Sequence, residues 1–198
     1  MLRIRYAFIN QLVLRTYSAL PRIVFPIDTS EVIKIIPNCR YMSYQEFAKI
    51  NKCSVDDVIS VCESASGCTN YDIANNRYLI LCNQSFDNYN NSGRQRWTCG
   101  HEIGHILCGH HNKSSSANQN SPDFEAEANY YSATLLSPFP LFRLFNINSR
   151  SDVQNTFGLS SSASEVRYEQ YLSWKQDHRK TAWENDIVKL VKNKSLYY

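Results

Sequence analysis

"RWTCGHEIGH", residues 96–105, places two histidines four positions apart with a glutamate directly after the first. On an α-helix, positions i and i+4 lie one above the other on a single face. A helical segment would therefore aim His101 and His105 at one point. The flanks support a helix. Ser92 and Gln95 stand at N-cap and N3, and Gly109 stands where a C′ glycine would end it. The pattern predicts a helix over residues 93–108, and the rest of the chain is read outward from it.

Two neutral imidazoles and a carboxylate suit one zinc ion per chain, with water in the fourth position. Glu102 lies about 100° around the helix from His101. From there it can take a proton from water that such an ion makes acidic, without being a ligand itself. Gly104 removes side-chain bulk and lets another element approach closely. A catalytic site of this kind needs a third ligand. No histidine follows at the metzincin spacing, since the next one after His111 is His178. His110 and His111 fall off the ligand face and read as a helix cap or surface histidines.

The third ligand is therefore sought on a second helix. Ser121 at N-cap, Pro122 at N1 and Asp123 in the first turn open it, and it stops before Pro138. Phe124, Ala128, Tyr131 and Leu135 form its apolar stripe. Among Asp123, Glu125 and Glu127, Glu125 lies about 60° from Ala128 on one shoulder of that stripe, and Glu127 about 100° away on the other. Glu125 is the favoured ligand. The competing reading makes both glutamates solvated surface groups.

The remaining chain frames this pair of helices. With 198 residues and 43% hydrophobic content, it can bury a core without disulfides. A net charge of +3 with scattered basic residues gives no case for nucleic-acid binding. Seven cysteines without a C-x-x-C fit free thiols in a reducing, cytoplasmic compartment rather than a secreted scaffold or a zinc finger. The first 20 residues begin basic and apolar, but Asn10, Gln11 and Arg15 interrupt the run, whereas Ile9, Leu12, Val13 and Tyr17 recur at helical spacing. An amphipathic first helix is expected, and no stretch approaches the ~20 apolar residues of a membrane span. Asp28, Thr29 or Ser30 can cap a short helix that Pro37 ends. Ser43 with Glu46, and Ser54 with Asp57, read as capping boxes of two more helices. "RYLILCN" (77–83) reads as a buried strand, and residues 141–198 as two or three further helices.

"RQRWTCGHEIGHILCGH" (94–110) and "FEAEANYYSATLLSP" (124–138) resemble the two sequence blocks of the ImmA/IrrE family of zinc metallopeptidases. "FPIDTSEVI" and "GCTNYDIANNRYLILCN" are similar to that family's approach segment and strand, and "FGLSSSASEVRYEQYL" (157–172) more loosely to its following helix. The departures (Trp97 for Phe, Cys99-Gly100, Tyr131-Ser132 for Phe-Ala) touch no ligand. The resemblance implies a mostly helical α+β, zincin-like fold with a small sheet beside the HEXXH helix. It also implies metal ligands His101, His105 and Glu125, with Glu102 as general base. The family admits Gln at the position of Glu127, in keeping with Glu125 as ligand. Its members often cleave transcriptional repressors of mobile elements or stress regulons, so a protein substrate such as a helix-turn-helix repressor is implied. Fewer than 25 residues precede the matching region, so autonomous DNA binding is not. The expected organisation is an amphipathic helix (1–24), a metallopeptidase core (25–140) and a helical region packed on it (141–198). The alternative is an inactive zincin-fold protein that sequesters a regulatory partner.

Overall fold

In the computed structural model, residues 4–84, 93–112, 121–177 and 181–195 are described. Helix α1 (Tyr6–Ala19) buries Ile9, Val13 and Tyr17, three of the four residues whose spacing predicts it, while Leu12 is half-buried. Helix α2 (Thr29–Lys34) follows, capped by the Asp28 side chain accepting from Ser30 N–H at 2.8 Å. Strand β1 (Cys39–Ser43) leads into α3 (Tyr44–Asn51) and α4 (Val55–Cys62). Both helices open with complete capping boxes, at Ser43–Glu46 and Ser54–Asp57, so their starts are set locally.

Strands β2 (Gly67–Asp72) and β3 (Arg77–Cys82) form a hairpin, and β3 is the centre of a sheet ordered β1-β3-β2. β1 runs parallel to β3 and β2 antiparallel, with Thr69 opposite Ile80 and Tyr71 opposite Tyr78. The reason β3 reads as an unbroken apolar run is that both its faces are covered. Ile80 and Cys82 join the main core, while Leu79 and Leu81 pack with Tyr44, Ala48 and Val58 under α3 and α4. β1 and β2 were not foreseen, because each is half-buried and lacks a clean alternation.

Helices α5 (Gly93–Leu107) and α6 (Pro122–Leu136) pack closely against each other, and α5 also lies on β2 and β3. Ser92, the expected cap of α5, lies outside the described residues. At α6 the Ser121 side chain makes no cap bond; its carbonyl accepts from Phe124 and Glu125 N–H instead. Beyond Pro138, four helices occur among the described residues rather than two or three: α7 (Pro140–Leu144), α8 (Arg150–Phe157), α9 (Ser161–Asp177) and α10 (Ala182–Lys194). Phe142 and Phe157, both fully buried, stack at 5.1 Å, and Tyr171 packs at 4.7 Å from Phe142. The aromatic residues thus build core, as their number suggests. Helix α1 packs on α6 and α10. Its Tyr17 hydroxyl donates to the Leu135 carbonyl at 2.5 Å, and Thr16 Oγ1 lies 2.9 Å from Tyr131 Oη. No helix among the described residues is long and apolar enough to cross a membrane. The fold is the expected α+β arrangement, mostly helical with a small sheet beside α5.

Candidate metal centre

His101 and His105 lie one turn apart on α5, and α6 brings Glu125 to them. His101 Nε2 and His105 Nε2 are 3.0 Å apart, and the Glu125 carboxylate oxygens lie 3.3 and 3.2 Å from them. The close approach of the two helices depends on Gly104. A Cβ there would stand 3.0 Å from both Cα and the carbonyl oxygen of Ala128.

Proton counting shows what these three groups can hold. His101 Nδ1 lies 2.9 Å from Asn129 Oδ1, which only accepts, so His101 Nδ1 carries the hydrogen and Nε2 is the ring nitrogen that can offer a lone pair. Burial, together with the neighbouring histidines, pulls the His105 pKa down to about 3, so that ring stays neutral. Two ring nitrogens and a carboxylate oxygen thus converge within hydrogen-bond distance. With zinc bonds of about 2.0–2.1 Å, a tetrahedral ion sets its ligand atoms about 3.3 Å apart, close to these separations. The donor set fits such an ion.

Glu102 is buried at the same cleft, with Thr69 Oγ1 of β2 donating to its Oε2 at 2.7 Å. Burial raises its pKa above the ordinary carboxylate value; the Thr69 bond and His101 oppose that rise, and Glu125 adds to it. The cleft has a volume of about 870 Å³ and is walled by Thr69, Arg94, Trp97 and His111 beside the candidate ligands. Glu125 retains 45% side-chain exposure there, against 10% for His105, so the centre opens on the Glu125 side.

The reading of His110 and the competing reading of Glu127 are both corrected by the structure. His110 is neither a cap nor a surface group, being only 2% exposed. Gly109, at φ +76°, lets the chain leave α5 and turn into the 3-10 segment His110–Asn112, which sets His110 beside His105. A helical wheel cannot anticipate a residue beyond the helix end. Glu127 is not a solvated carboxylate either; it is 2% exposed and paired with Arg5 and His110. Burial alone would raise its pKa, but the bonds from Arg5 and His110 overcome this and hold it down to about 2.

Of the aromatic and histidine groups near the centre in sequence, Tyr130 donates to Asn10 at 2.9 Å and Tyr131 pairs with Thr16. Asn129 and Thr69 were missed. Asn129 follows Glu125 by four on the same helical face, which is a usable signal. Thr69 has none, since only the sheet register brings it to Glu102.

Comparison with curated proteins gives no match. Residues 70–169, half of the 198-residue chain, match the model of the IrrE N-terminal-like domain of the M78 peptidases. That span begins in β2 and ends in α9, so it includes both helices of the centre and leaves α1 outside. The chain belongs to the M78 peptidase family.

Proposed function

We propose that this chain is a zinc-dependent endopeptidase, active in the cytoplasm, that hydrolyses a peptide bond in a specific protein. The observation that carries the reading is the convergence of His101 Nε2, His105 Nε2 and the Glu125 carboxylate, with Glu102 buried beside them. When bound, zinc polarises the scissile carbonyl and makes a coordinated water acidic. Glu102 accepts the proton of the attacking water. The water oxygen bonds to the carbonyl carbon, the C–N bond breaks, and Glu102 returns the proton to the leaving amine. Burial raises its pKa, which makes it a stronger proton acceptor than an exposed carboxylate. Thr69 holds one carboxylate oxygen in place meanwhile. A buried carboxylate at this position also favours the enzyme over a protein that merely sequesters a partner, which would have no use for it.

The substrate class we propose is a helix-turn-helix transcriptional repressor of a mobile element or stress regulon, with no direct binding of nucleic acid or membrane. The support is family membership and an open cleft of about 870 Å³ beside the candidate ligands. The test is a survey of new protein amino termini in cells expressing the chain or its Glu102→Gln variant. New termini in a repressor with the parent, absent with Glu102→Gln, are expected. The same termini in both, or none in either, would refute the reading.

A further inference from the structure

Behind the three candidate ligands, a row of hydrogen bonds runs back to a charge at the N-cap of α1. His105 Nδ1 lies 3.0 Å from His110 Nδ1, and His110 Nε2 lies 3.0 Å from Glu127 Oε2. Arg5 grips the same carboxylate, with Nε donating to Oε1 at 2.7 Å and Nη2 to Oε2 at 2.5 Å. The Arg5 backbone N–H adds a bond to Oε1 at 3.1 Å, and Nη2 also donates to the Cys108 carbonyl at 3.0 Å. Arg5 lies outside the span that matches the family model.

The direction of the row follows from donor counting. An ionised carboxylate only accepts, so His110 Nε2 carries hydrogen and donates to Glu127. A neutral His110 then has a bare Nδ1, which accepts from His105 Nδ1–H. His105 Nε2 is left as a lone pair facing His101 and Glu125. In this order each contact of the row pairs a donor with an acceptor, and the lone pairs of His101 Nε2 and His105 Nε2, 3.0 Å apart, face one point with the Glu125 carboxylate, an arrangement that a shared cation relieves. The Arg5 guanidinium balances the Glu127 charge.

We propose that Arg5, Glu127 and His110 are positioning residues that fix His105 in the tautomer and orientation a metal ligand needs, so that α1 helps to build the metal centre. The proposal rests on the zinc reading above. Packing supports it: His110 stacks on Phe124 at 4.3 Å with the rings 7° from parallel, which locks the ring plane. Partners of this kind behind a ligating histidine orient it and raise its basicity. Cys108, His110 and Glu127 also bring ligand atoms within 4.8 Å of one another. A guanidinium already seated on Glu127 opposes a second cation there.

The test uses the purified full chain, with zinc affinity measured by competition against a chromophoric chelator and the visible spectrum recorded after cobalt substitution. Arg5→Met and His110→Phe should each weaken zinc binding about ten- to a hundredfold and shift the cobalt bands. Arg5→Lys, which keeps the charge, should recover part of the loss. The Arg5 side chain is 40% exposed, so Arg5→Met remains informative if His110→Phe fails to fold. Parent-like affinity and spectrum in folded Arg5→Met would overturn the proposal while leaving a Glu125-dependent zinc site standing. Two zinc ions in the parent, one of them lost in His110→Phe, would overturn it in favour of a second metal site. A parent that takes up no zinc would remove the metallopeptidase reading and this proposal together.

Discussion

Replacing Gly104 by alanine sets two opposing effects against each other at the point where α5 meets α6. The added Cβ would lie 3.0 Å from Cα and O of Ala128 and 3.2 Å from Tyr131 Cβ. Ordinary carbon contacts fall at about 3.5–4.0 Å, so α6 must retreat by about 0.5–1 Å or the methyl remains strained. The two nearest obstacles are backbone atoms, which cannot rotate aside. On an exposed helix the change would gain about 1 kcal/mol from helix propensity. Overpacking a close contact costs about 1–3 kcal/mol, and with no side chain free to give, the upper part of that range applies. The expected net loss is therefore about 1–2 kcal/mol, measured by urea unfolding of the metal-free chain. Glu125 rides on the same helix, one turn from the contact. Metal sites tolerate shifts of about 0.2 Å, so the retreat also carries its carboxylate out of place and lowers zinc content after dialysis. A Gly104→Ala chain that is about 1 kcal/mol more stable and retains full zinc would refute the close-approach argument.

Three further outcomes are expected. Tyr17→Phe removes the buried hydroxyl that serves the Leu135 carbonyl and should cost about 1–3 kcal/mol in urea unfolding; unchanged stability would count against that bond. Thr69→Val removes the donor that favours the ionised form of Glu102, so the Glu102 pKa rises further. The acid limb of the pH–rate profile should then move to higher pH with zinc content unchanged; a move to lower pH would contradict the role given to Thr69. Chelating the metal removes stabilisation of about 2.7 kcal/mol if free zinc stands at a hundred times its dissociation constant. The melting temperature should fall by roughly 5–10 °C, and the chelator should have no effect on Glu125→Ala.

What the sequence discloses here is governed by how local each cause is. The starts of α3 and α4 are legible because a serine and an acidic residue three positions on complete a capping box within one turn. The His101–His105 pair follows from helical spacing, Glu125 is favoured over Glu127 by its helical angle and by the family resemblance, and the structure brings the three together. Strands β1 and β2 escape because their pairing with β3 is long-range, and their burial is partial. Arg5 and Glu127 are 122 residues apart in the chain, and no periodicity joins them. His110 is hidden for a different reason. The positive φ of Gly109 takes it off the helical screw, and only the turn itself decides whether it faces water or His105.

The central claim is that His101, His105 and Glu125 hold one zinc ion while Glu102 is left to move protons. Metal analysis of the parent, Glu125→Ala and Glu102→Gln chains tests it most directly. About one zinc per chain is expected in the parent and in Glu102→Gln, and none in Glu125→Ala. Zinc retained in Glu125→Ala would contradict the ligand set, and a parent that binds none even when zinc is supplied would contradict the metal centre itself.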